Sequence, residues 1–292
     1  MGRYQVILVP VLLLTNAHAQ DDIKTTNPEI SFNHPECQVN FSQFSKLIAL
    51  NSFPGSGNTW LRSLIEKSFG YYTGSVYMDR KLYDGGFLGE FSQPFSGRTI
   101  MQKIHHNRRD KLTSSYYTHT ENCVTLMRKP KEAFLAEFKR THAKKASNKS
   151  GLNTHVQDIE VDPKKFAKFF RSKFKSYVAD SLLFLNKCRN NHVLFFEDLK
   201  RDAVAEMVRM EQFLNDLYQE SKFSVREECL AVNLDGDFHR VSGKSDEDKY
   251  KVYQHVDWLD KKKFNALVKE ELAPVFEAQV GQPFPPEYYL EV

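Results

Sequence analysis

The segment Ser52-Phe53-Pro54-Gly55-Ser56-Gly57-Asn58-Thr59-Trp60 decides the fold of this chain, because it joins a short apolar run to an amphipathic helical pattern. The run Leu47–Leu50 suits a buried strand, and apolar residues recur at helical spacing from Trp60 onward. Gly55 and Gly57 let the backbone approach an anion closely, and the free N–H groups at the start of a helix bind one. The segment therefore predicts a phosphate-binding turn between a strand and a helix.

The same segment is compatible with two other interpretations. A Pro-Gly-Ser-Gly sequence is, by itself, as typical of a structural tight turn as of a ligand loop. Asn58 stands where the nucleotide-hydrolysing P-loop has its lysine, so a P-loop kinase that binds Mg-ATP is disfavoured. The other segments of the chain have to decide between a turn and a ligand loop.

The N-terminus predicts a secretory signal peptide. Arg3 precedes an apolar stretch from Val6 to Leu14, and Ala17-His18-Ala19 supplies the small residues of a cleavage site. The stretch contains Pro10 and is shorter than the ~20 residues that a spanning helix needs, so a permanent membrane anchor is the weaker alternative. We expect a signal peptide over residues 1–19, an N-terminal extension over 20–45 and one large domain over 46–292.

Charge and cysteine content indicate an exported protein without a nucleic-acid partner. Lys and Arg total 41 against 37 Asp and Glu, a formal net charge of +4, which is too small to indicate nucleic-acid binding. The sequons at Asn40 and Asn148 fit an exported chain. Four cysteines are too widely spaced for a zinc knuckle, and their even number predicts two disulfides with three possible pairings: Cys37, Cys123, Cys188 and Cys229. Nothing in the sequence indicates the oligomeric state.

Strands and helices alternate along the rest of the chain. Further strands are predicted at Ile100–Ile104, Cys123–Met127 and His192–Phe196, and helical patterns separate them. Such an alternation implies right-handed crossovers and parallel pairing. The predicted fold is therefore α/β: a P-loop-like three-layer fold with a central, mainly parallel sheet of about five strands flanked by helices.

The sequence predicts the local structure of three other segments. Gly70–Arg98 is polar and broken by glycines, so we predict a surface excursion there. Pro130 opens a helix that the basic polar segment Thr141–Gly151 is expected to interrupt. A long helix then begins with Asp162 as its cap and Pro163 in its first turn.

Four blocks, in order, resemble the sulfotransferase superfamily, whose members transfer a sulfuryl group from 3'-phosphoadenylyl sulfate (PAPS) to a hydroxyl or an amine. Pro54–Trp60 resembles the family's 5'-phosphosulfate loop, and Lys103-Ile104-His105 resembles its Lys-Thr-His strand end. Arg128–Glu132 resembles the 3'-phosphate motif, and Phe196–Asp202 resembles the Tyr-Glu-Asp-Leu-Lys segment. The resemblance covers Leu47–Asp246 and implies that 46–292 is a sulfotransferase domain.

One subfamily is most similar. The loop Pro-Gly-Ser-Gly-Asn-Thr-Trp, together with Tyr72–Tyr77 and Gly86–Glu90, looks like the sulfotransferase module of WSC-domain-containing proteins, which is linked to sialate O-sulfation. Few residues and cysteines precede this module, so we expect no WSC domain before it. The resemblance implies an acceptor hydroxyl on a glycan and a location in the Golgi lumen or outside the cell.

The resemblance also implies a set of site residues. PAPS is the expected co-substrate, 3',5'-ADP the product, and no metal is required. The residues expected to bind PAPS are Pro54, Gly55, Ser56, Gly57, Asn58, Thr59, Trp60, Arg128, Arg240 and Lys244. Acceptor contacts are expected from the segment Gly70–Arg98, at Tyr72, Asp79, Phe87 and Glu90.

The expected catalytic residues stand at the end of the second apolar strand. His105 is the candidate base, because imidazole titrates near neutral pH, and His106 is its neighbouring competitor. Residues on a strand alternate between faces, so only one of the two enters the cleft. Lys103 shares the face of His105 and is expected to stabilise developing charge.

Two departures from the family pattern favour an alternative function. The cytosolic sulfotransferases have lysine where this chain has Gly55, and serine where it has Ala136. The first substitution removes a cation beside the leaving group, and the second removes a hydroxyl contact to the 3'-phosphate. The alternative is therefore an inactive protein of this fold that binds a nucleotide or a glycan.

Overall fold

Five strands form one sheet in which every neighbouring pair is parallel. The computed structural model describes residues 37–105, 115–116, 118–146, 160–219, 223–231 and 246–292. The strands are β1 (Ile48–Ser52), β2 (Gly74–Ser75), β3 (Gln102–Ile104), β4 (Asn122–Met127) and β5 (Asn190–Phe195). Their order across the sheet is β2-β3-β1-β4-β5. The α/β fold class with a central parallel sheet is confirmed.

The strand order places β1 at the centre and aligns the strand ends. Asn51 pairs with Ile104, Ser52 pairs with Leu126, and Met127 pairs with Phe195. Because all strands run in one direction, their carboxyl ends meet at the same edge of the sheet. Ligands of open α/β sheets bind at this edge, so the residues that follow β1, β3, β4 and β5 define the place to look for a site.

Helices connect the strands and complete the C-terminal region. The first half of the chain contains α1 (Asn58–Phe69), α2 (Arg80–Asp84), α3 (Pro130–Ala146) and α4 (Pro163–Lys187). The second half contains α5 (Phe196–Arg201), α6 (Ala203–Tyr218), α7 (Glu227–Ala231), α8 (Asp246–Tyr250), α9 (Trp258–Leu267) and α10 (Ala273–Val280). Short 3₁₀ segments lie at Leu88–Phe91, Lys251–His255 and Pro286–Tyr288, and a π-helical turn at Val268–Leu272 joins α9 to α10.

Two apolar layers cover the sheet. On one face, Leu50, Val124 and Leu194 pack with residues of α1 and α6. On the other side, α3, α4, α9 and α10 share a second cluster that is rich in phenylalanine. A three-layer arrangement results, and it buries β1 and β4 on both faces.

Two expectations about individual segments are wrong. Gly70–Arg98 is not only a surface excursion, because β2 is an edge strand of the sheet and Thr73, Ser75 and Glu90 are buried. The helix from Pro130 is not interrupted at Thr141 but continues to Ala146. Asp162 caps α4 as predicted, by accepting a hydrogen bond from the Lys165 N–H.

Both predicted disulfides form. Cys37 is bonded to Cys229, and Cys123 is bonded to Cys188. The first bond ties the segment before β1 to α7, and the second ties β4 to the end of α4. Two such bonds fit a secreted or lumenal protein. Within the described ranges, each helix is too short or too polar to span a lipid bilayer.

Candidate functional site

The phosphate-binding turn predicted after β1 has the backbone that an anion requires. The Ser56 N–H donates to the Phe53 carbonyl at 3.1 Å, which closes the turn, and Gly57 adopts a left-handed conformation with φ of 94° as the N-cap of α1. The first intrahelical bond runs from the Leu61 N–H to the Gly57 carbonyl at 3.0 Å. The N–H groups of Asn58 and Thr59 precede it, so they have no acceptor within the helix. They point out of the helix start, where an anion binds.

The two loop glycines lie where a side chain has no room. A Cβ at Gly55 would stand 2.6 Å from the Ala133 carbonyl oxygen and 2.9 Å from the Glu137 nitrogen, both backbone atoms of α3. A Cβ at Gly57 would stand 2.4 Å from the Phe196 ring. The loop is therefore held between α3 and the first residue of α5, so its shape depends on tertiary contacts.

Two hydrogen-bond donors of this region lack partners within the described part of the chain. They are the Ser56 Oγ and the Arg128 Nε, and both are buried. An unsatisfied buried donor is costly, so a native protein normally supplies a partner, a water molecule or a ligand. With the glycine turn and the helix start, these donors fit a ligand that carries phosphate groups, as PAPS does.

The other predicted loop residues contribute in different ways. The Asn58 side chain turns inward and donates to the Ser52 Oγ at 3.2 Å, so only its backbone faces the turn. Trp60 is buried and packs edge-on against Phe196 with ring centroids 5.5 Å apart. Pro54 and Thr59 are half-buried.

Arg128 follows β4 and reaches the loop directly. Its Nη1 donates to the Gly55 carbonyl at 2.9 Å, its Nη2 donates to the Glu132 carboxylate at 2.6 Å, and its guanidinium lies 4.1 Å from the centre of the Phe196 ring. The structure thus brings the predicted 3'-phosphate arginine to the predicted phosphosulfate loop. A guanidinium held by a ring and a carbonyl is well placed to bind phosphate oxygens.

Glu132 counterbalances Arg128. Burial would raise the pKa of Glu132, but the charge of Arg128 and a hydrogen bond from the Tyr250 hydroxyl at 2.7 Å lower this pKa to about 2. Tyr250 closes α8, the first described element after residues 232–245. The predicted ligands Arg240 and Lys244 lie outside the described residues. Tyr250, which follows them in the chain, contacts Glu132, the ion-pair partner of Arg128.

A cavity of about 490 Å³ is lined by Tyr250 and other residues away from the strand ends. Lys131, Lys251 and Lys261 are among its lining residues. The phosphate-binding loop, the donors that lack partners among the described residues, and His105 lie at the sheet edge instead. We therefore assign the candidate site to that edge.

His105 is oriented by two contacts at the end of β3. Its Nδ1 lies 2.7 Å from the Ser52 carbonyl oxygen, and a carbonyl can only accept, so Nδ1 carries the proton and Nε2 keeps its lone pair. The Tyr77 hydroxyl bonds the His105 backbone on both sides, and the two rings stack. Burial and the nearby Lys103 ammonium lower the pKa of His105 to about 3, so its ring is neutral at physiological pH. His106 lies outside the described residues.

Lys103 lies two residues before His105, on the same strand. Its side chain is half-buried, and burial together with the charge of Arg62 lowers its pKa to about 8. Within the described ranges its ammonium has no hydrogen-bond or ion-pair partner. A cation in this state is available to an anionic ligand.

The residues expected to contact an acceptor have different surroundings. Glu90 is fully buried and forms an ion pair with Arg62, and Phe87 packs against the same guanidinium at 4.6 Å. Both side chains are buried in the interior, so their contacts stabilise the fold around the site. Tyr72 and Asp79 are half-buried, and the Asp79 N–H donates to the Glu90 carboxylate at 3.1 Å. Within the described ranges, no cluster of side chains could hold a metal ion.

Four contributors to the site were not singled out from the sequence. They are Phe196, which supports the loop, Trp60 and Arg128; Tyr77, which holds the His105 backbone; the Ser52 carbonyl, which orients the imidazole; and Glu132, which pairs with Arg128. Phe196, Tyr77 and Glu132 stand inside blocks that carry the family resemblance, so that signal was present. A backbone carbonyl has no sequence signal.

Known proteins with similar sequences were found. The chain is 28% identical over 198 residues to WSCD family member CG9164 of Drosophila melanogaster, a match that covers 66% of this chain and 57% of that protein. It is also 28% identical over 190 residues to WSCD family member AAEL009094 of Aedes aegypti, with 65% and 54% covered. The chain resembles the WSCD family. The resemblance inferred from the motifs is thereby confirmed, although the match spans only somewhat more than half the length of these WSCD proteins.

The WSCD resemblance is the informative similarity of this chain to known proteins. No protein-family model matches the chain. Among solved structures, mouse sulfotransferase SULT7A1 complexed with PAP aligns with a TM-score of 0.40 and 14% identity, covering 80% of this chain and 84% of that one. At these values the structural match decides neither fold nor function.

Proposed function

We propose that this chain is a PAPS-dependent sulfotransferase that transfers a sulfuryl group to a hydroxyl, on a glycan, in the secretory pathway. The observation that carries the proposal is the orientation of His105. A neutral imidazole whose Nε2 keeps its lone pair stands at the same sheet edge as an anion-binding loop and Lys103, which is half-buried and has no hydrogen-bond or ion-pair partner among the described residues. These are a base, a donor site and a cation, which is the set that transfer to a hydroxyl requires.

The 5'-phosphosulfate and the 3'-phosphate of the nucleotide each have proposed binding groups. The helix start and the loop from Pro54 to Trp60 hold the 5'-phosphosulfate, and Arg128 holds the 3'-phosphate with Arg240 and Lys244. PAPS supplies an activated sulfuryl group when it is bound. The buried donors at Ser56 and Arg128 that lack partners within the described part of the chain support this assignment.

The base and the cation have separate proposed roles. His105 accepts the hydroxyl proton at Nε2 while its Nδ1–H stays bonded to Ser52, so the ring does not rotate. Lys103 stabilises negative charge that develops at the transferring group. Arg128 binds and orients without taking part in proton transfer.

The compartment and the acceptor are proposed from several weaker observations. Two disulfides are present, and the sequon residue Asn40 is exposed. Together with the predicted signal peptide over 1–19 and extension over 20–45, they support a Golgi or secreted location for a sulfotransferase domain over 46–292. Glycan hydroxyls are abundant acceptors in that compartment.

His105→Ala provides the direct test. Purified protein is incubated with labelled PAPS and a glycan panel, and transfer and product position are measured. We expect the variant to lose at least about 10²-fold in turnover while its affinity for 3',5'-ADP, measured by calorimetry, stays within about twofold. Arg128→Ala should instead lose nucleotide affinity. Normal turnover by His105→Ala would contradict the assigned base.

The pH profile gives a second test of the same assignment. Because the folded pKa of His105 is lowered to about 3, we expect kcat/KM to stay constant from about pH 5 to 7 instead of falling below 6.5. Because the pKa of Lys103 is lowered to about 8, activity should decline above that pH. Lys103→Arg should remove this alkaline decline, and a decline that remains would assign it to another group.

An inactive nucleotide-binding protein is the second candidate function. Gly55 and Ala136, which replace a lysine and a serine of the family pattern, favour it. Such a protein would bind 3',5'-ADP with the same dependence on Arg128 and would show no transfer to any member of the panel. Binding of Mg-ATP in preference to 3',5'-ADP would contradict both candidates.

A further inference from the structure

The loop cannot supply a cation at position 55. Gly55 has φ of +90°, a conformation that L side chains rarely adopt, and the backbone of α3 occupies the space of a Cβ. A lysine at this position would therefore require the loop to separate from α3. A transferase built on this loop has to bring its positive charge to the leaving group from somewhere else.

The helix that excludes a side chain at position 55 carries a cation of its own. A Cβ at Gly55 would lie 3.1 Å from the Cβ of Glu137. The buried carboxylate of Glu137 accepts two hydrogen bonds from Arg140, from Nε and from Nη2, each at 2.6 Å. This bidentate pair places the Arg140 guanidinium one helical turn beyond the contact with the loop.

The pair fixes Arg140 without using all its donors. Arg140 is half-exposed, and within the described ranges its Nη1 has no hydrogen-bond partner. An arginine has five N–H donors, and the bond to Glu137 occupies one edge of the fork. The two N–H groups of Nη1 remain available to oxygen atoms of a ligand.

Arg140 lies within electrostatic range of the proposed base and cation. Its positive charge acts on both Lys103 and His105, and it acts on Asp79 across the cleft. Lys103 belongs to β3, His105 follows it and Asp79 caps α2, so the guanidinium lies near the carboxyl end of β3.

We propose that Arg140 is a further catalytic residue, which supplies at the transferring group the positive charge that Gly55 cannot carry. The inference rests on the proposed function. In the reaction, the acceptor oxygen forms a bond to sulfur, and the bond between sulfur and the bridging phosphate oxygen breaks. The hydroxyl proton goes to Nε2 of His105, and 3',5'-ADP leaves with negative charge on its 5'-phosphate. The Nη1 donors of Arg140 stabilise the sulfuryl oxygens beside the breaking bond. Glu137 is its positioning residue.

The test compares Arg140→Gln, Arg140→Lys and a matched control. Arg209→Gln is the control, because Arg209 also pairs with a buried glutamate three residues earlier on a helix, Glu206 on α6. Removing either arginine leaves a buried carboxylate unpaired, so losses of stability should be similar in the two glutamine variants. Effects that only Arg140→Gln shows then report on the site.

Three readouts separate a catalytic role from a structural one. We expect Arg140→Gln to lower turnover by about 10²–10³-fold, Arg140→Lys to lower it less, and Arg209→Gln to leave it within about twofold. Calorimetry should show 3',5'-ADP affinity nearly unchanged in Arg140→Gln and PAPS affinity lowered about tenfold, since only PAPS carries the sulfuryl group. The pKa of His105, followed by NMR, should rise in Arg140→Gln and not in Arg209→Gln.

The outcomes distinguish this inference from the proposed function. Unchanged turnover in Arg140→Gln, with active wild-type protein, would overturn only the role of Arg140. An equal loss of affinity for PAPS and 3',5'-ADP would also overturn it and would make Arg140 a ligand of the nucleotide. If wild-type protein binds PAPS but transfers to no acceptor, a selective loss of PAPS affinity still supports Arg140 while the proposed activity fails. If wild-type protein binds neither nucleotide, both proposals fail.

Discussion

Two sides of the candidate site, the loop with α3 and the segment Gly70–Arg98, differ in the hydrogen bonding of their buried polar groups. On the side of the loop and α3, the buried donors Ser56 Oγ and Arg128 Nε have no partner among the described residues. On the side of Gly70–Arg98, Arg62 is bonded to Glu90 and to Thr73, and Thr73 in turn donates to Glu66. A satisfied network stabilises a shape, whereas unsatisfied donors indicate a place where a ligand completes the bonding.

This contrast distinguishes residues that stabilise the fold from residues that can bind a ligand. Glu90 is a predicted acceptor contact because it lies in the irregular segment Gly70–Arg98, yet it is fully buried and paired. Ser56 is a predicted ligand because of its place in the loop, and its buried hydroxyl lacks a partner among the described residues. Burial alone does not distinguish the two residues, but the hydrogen-bond partners do.

Glu90→Ala should have the largest effect on stability. The change leaves the Arg62 guanidinium buried without its carboxylate, and breaking a buried pair in this way costs about 3–5 kcal/mol. Urea denaturation measures the loss. Arg80→Ala is the control, because Arg80 pairs with Asp84 at the surface and such pairs contribute less than about 1 kcal/mol. Equal losses in the two variants would contradict the supporting role of the network.

Gly55→Ala and Gly86→Ala compare one glycine from each side. Both have positive φ, but a Cβ at Gly86 would meet nothing within 4 Å, while one at Gly55 would meet the backbone of α3. We expect about 1 kcal/mol of destabilisation from backbone strain at Gly86 and about 2–3 kcal/mol at Gly55. Only Gly55→Ala should weaken binding of 3',5'-ADP. Unchanged nucleotide affinity in that variant would remove the loop from the site.

Glu66→Gln should give the smallest effect, which appears in the pH dependence of stability. Burial raises the pKa of Glu66 from 4.5 to about 7. A raised pKa means that the stability contributed by this group is complete below pH 4.5 and is lost as the pH rises through 7. Between pH 5 and 7.5 the wild-type protein should therefore lose about 2 kcal/mol that Glu66→Gln retains. Parallel stability curves for the two proteins would contradict the raised pKa.

Much of the fold was predictable because it follows from local patterns. Apolar runs predicted β1, β3, β4 and β5 within two residues, and Asp162 with Pro163 predicted the start of α4. The two-residue strand β2 was not predicted, since so short a segment has no period of its own and exists only by pairing with β3. The continuation of α3 beyond Thr141 was missed because polar residues do not end a helix unless the backbone is capped or broken.

The site was predictable to the level of residue type and position along the chain. Lys103, His105 and Arg128 stand at strand ends, and parallel strands bring their ends together, so these residues could be grouped before any coordinates. Their bonding states could not be predicted. That His105 donates to the Ser52 carbonyl, or that Arg128 lies between Glu132 and the Phe196 ring, depends on distances between segments far apart in sequence.

The sequence by itself determined the glycine turn between strand and helix, the order of the sheet-edge residues and the resemblance to a family, because turn chemistry and periodicity are local properties of the chain. Only the tertiary structure decided why position 55 is glycine, since the constraint comes from the backbone of α3, almost eighty residues later in the chain. It also decided which charged residues support the cleft and which face it. Packing between distant segments sets the space around a residue and the partners of its polar atoms, and no local pattern encodes either.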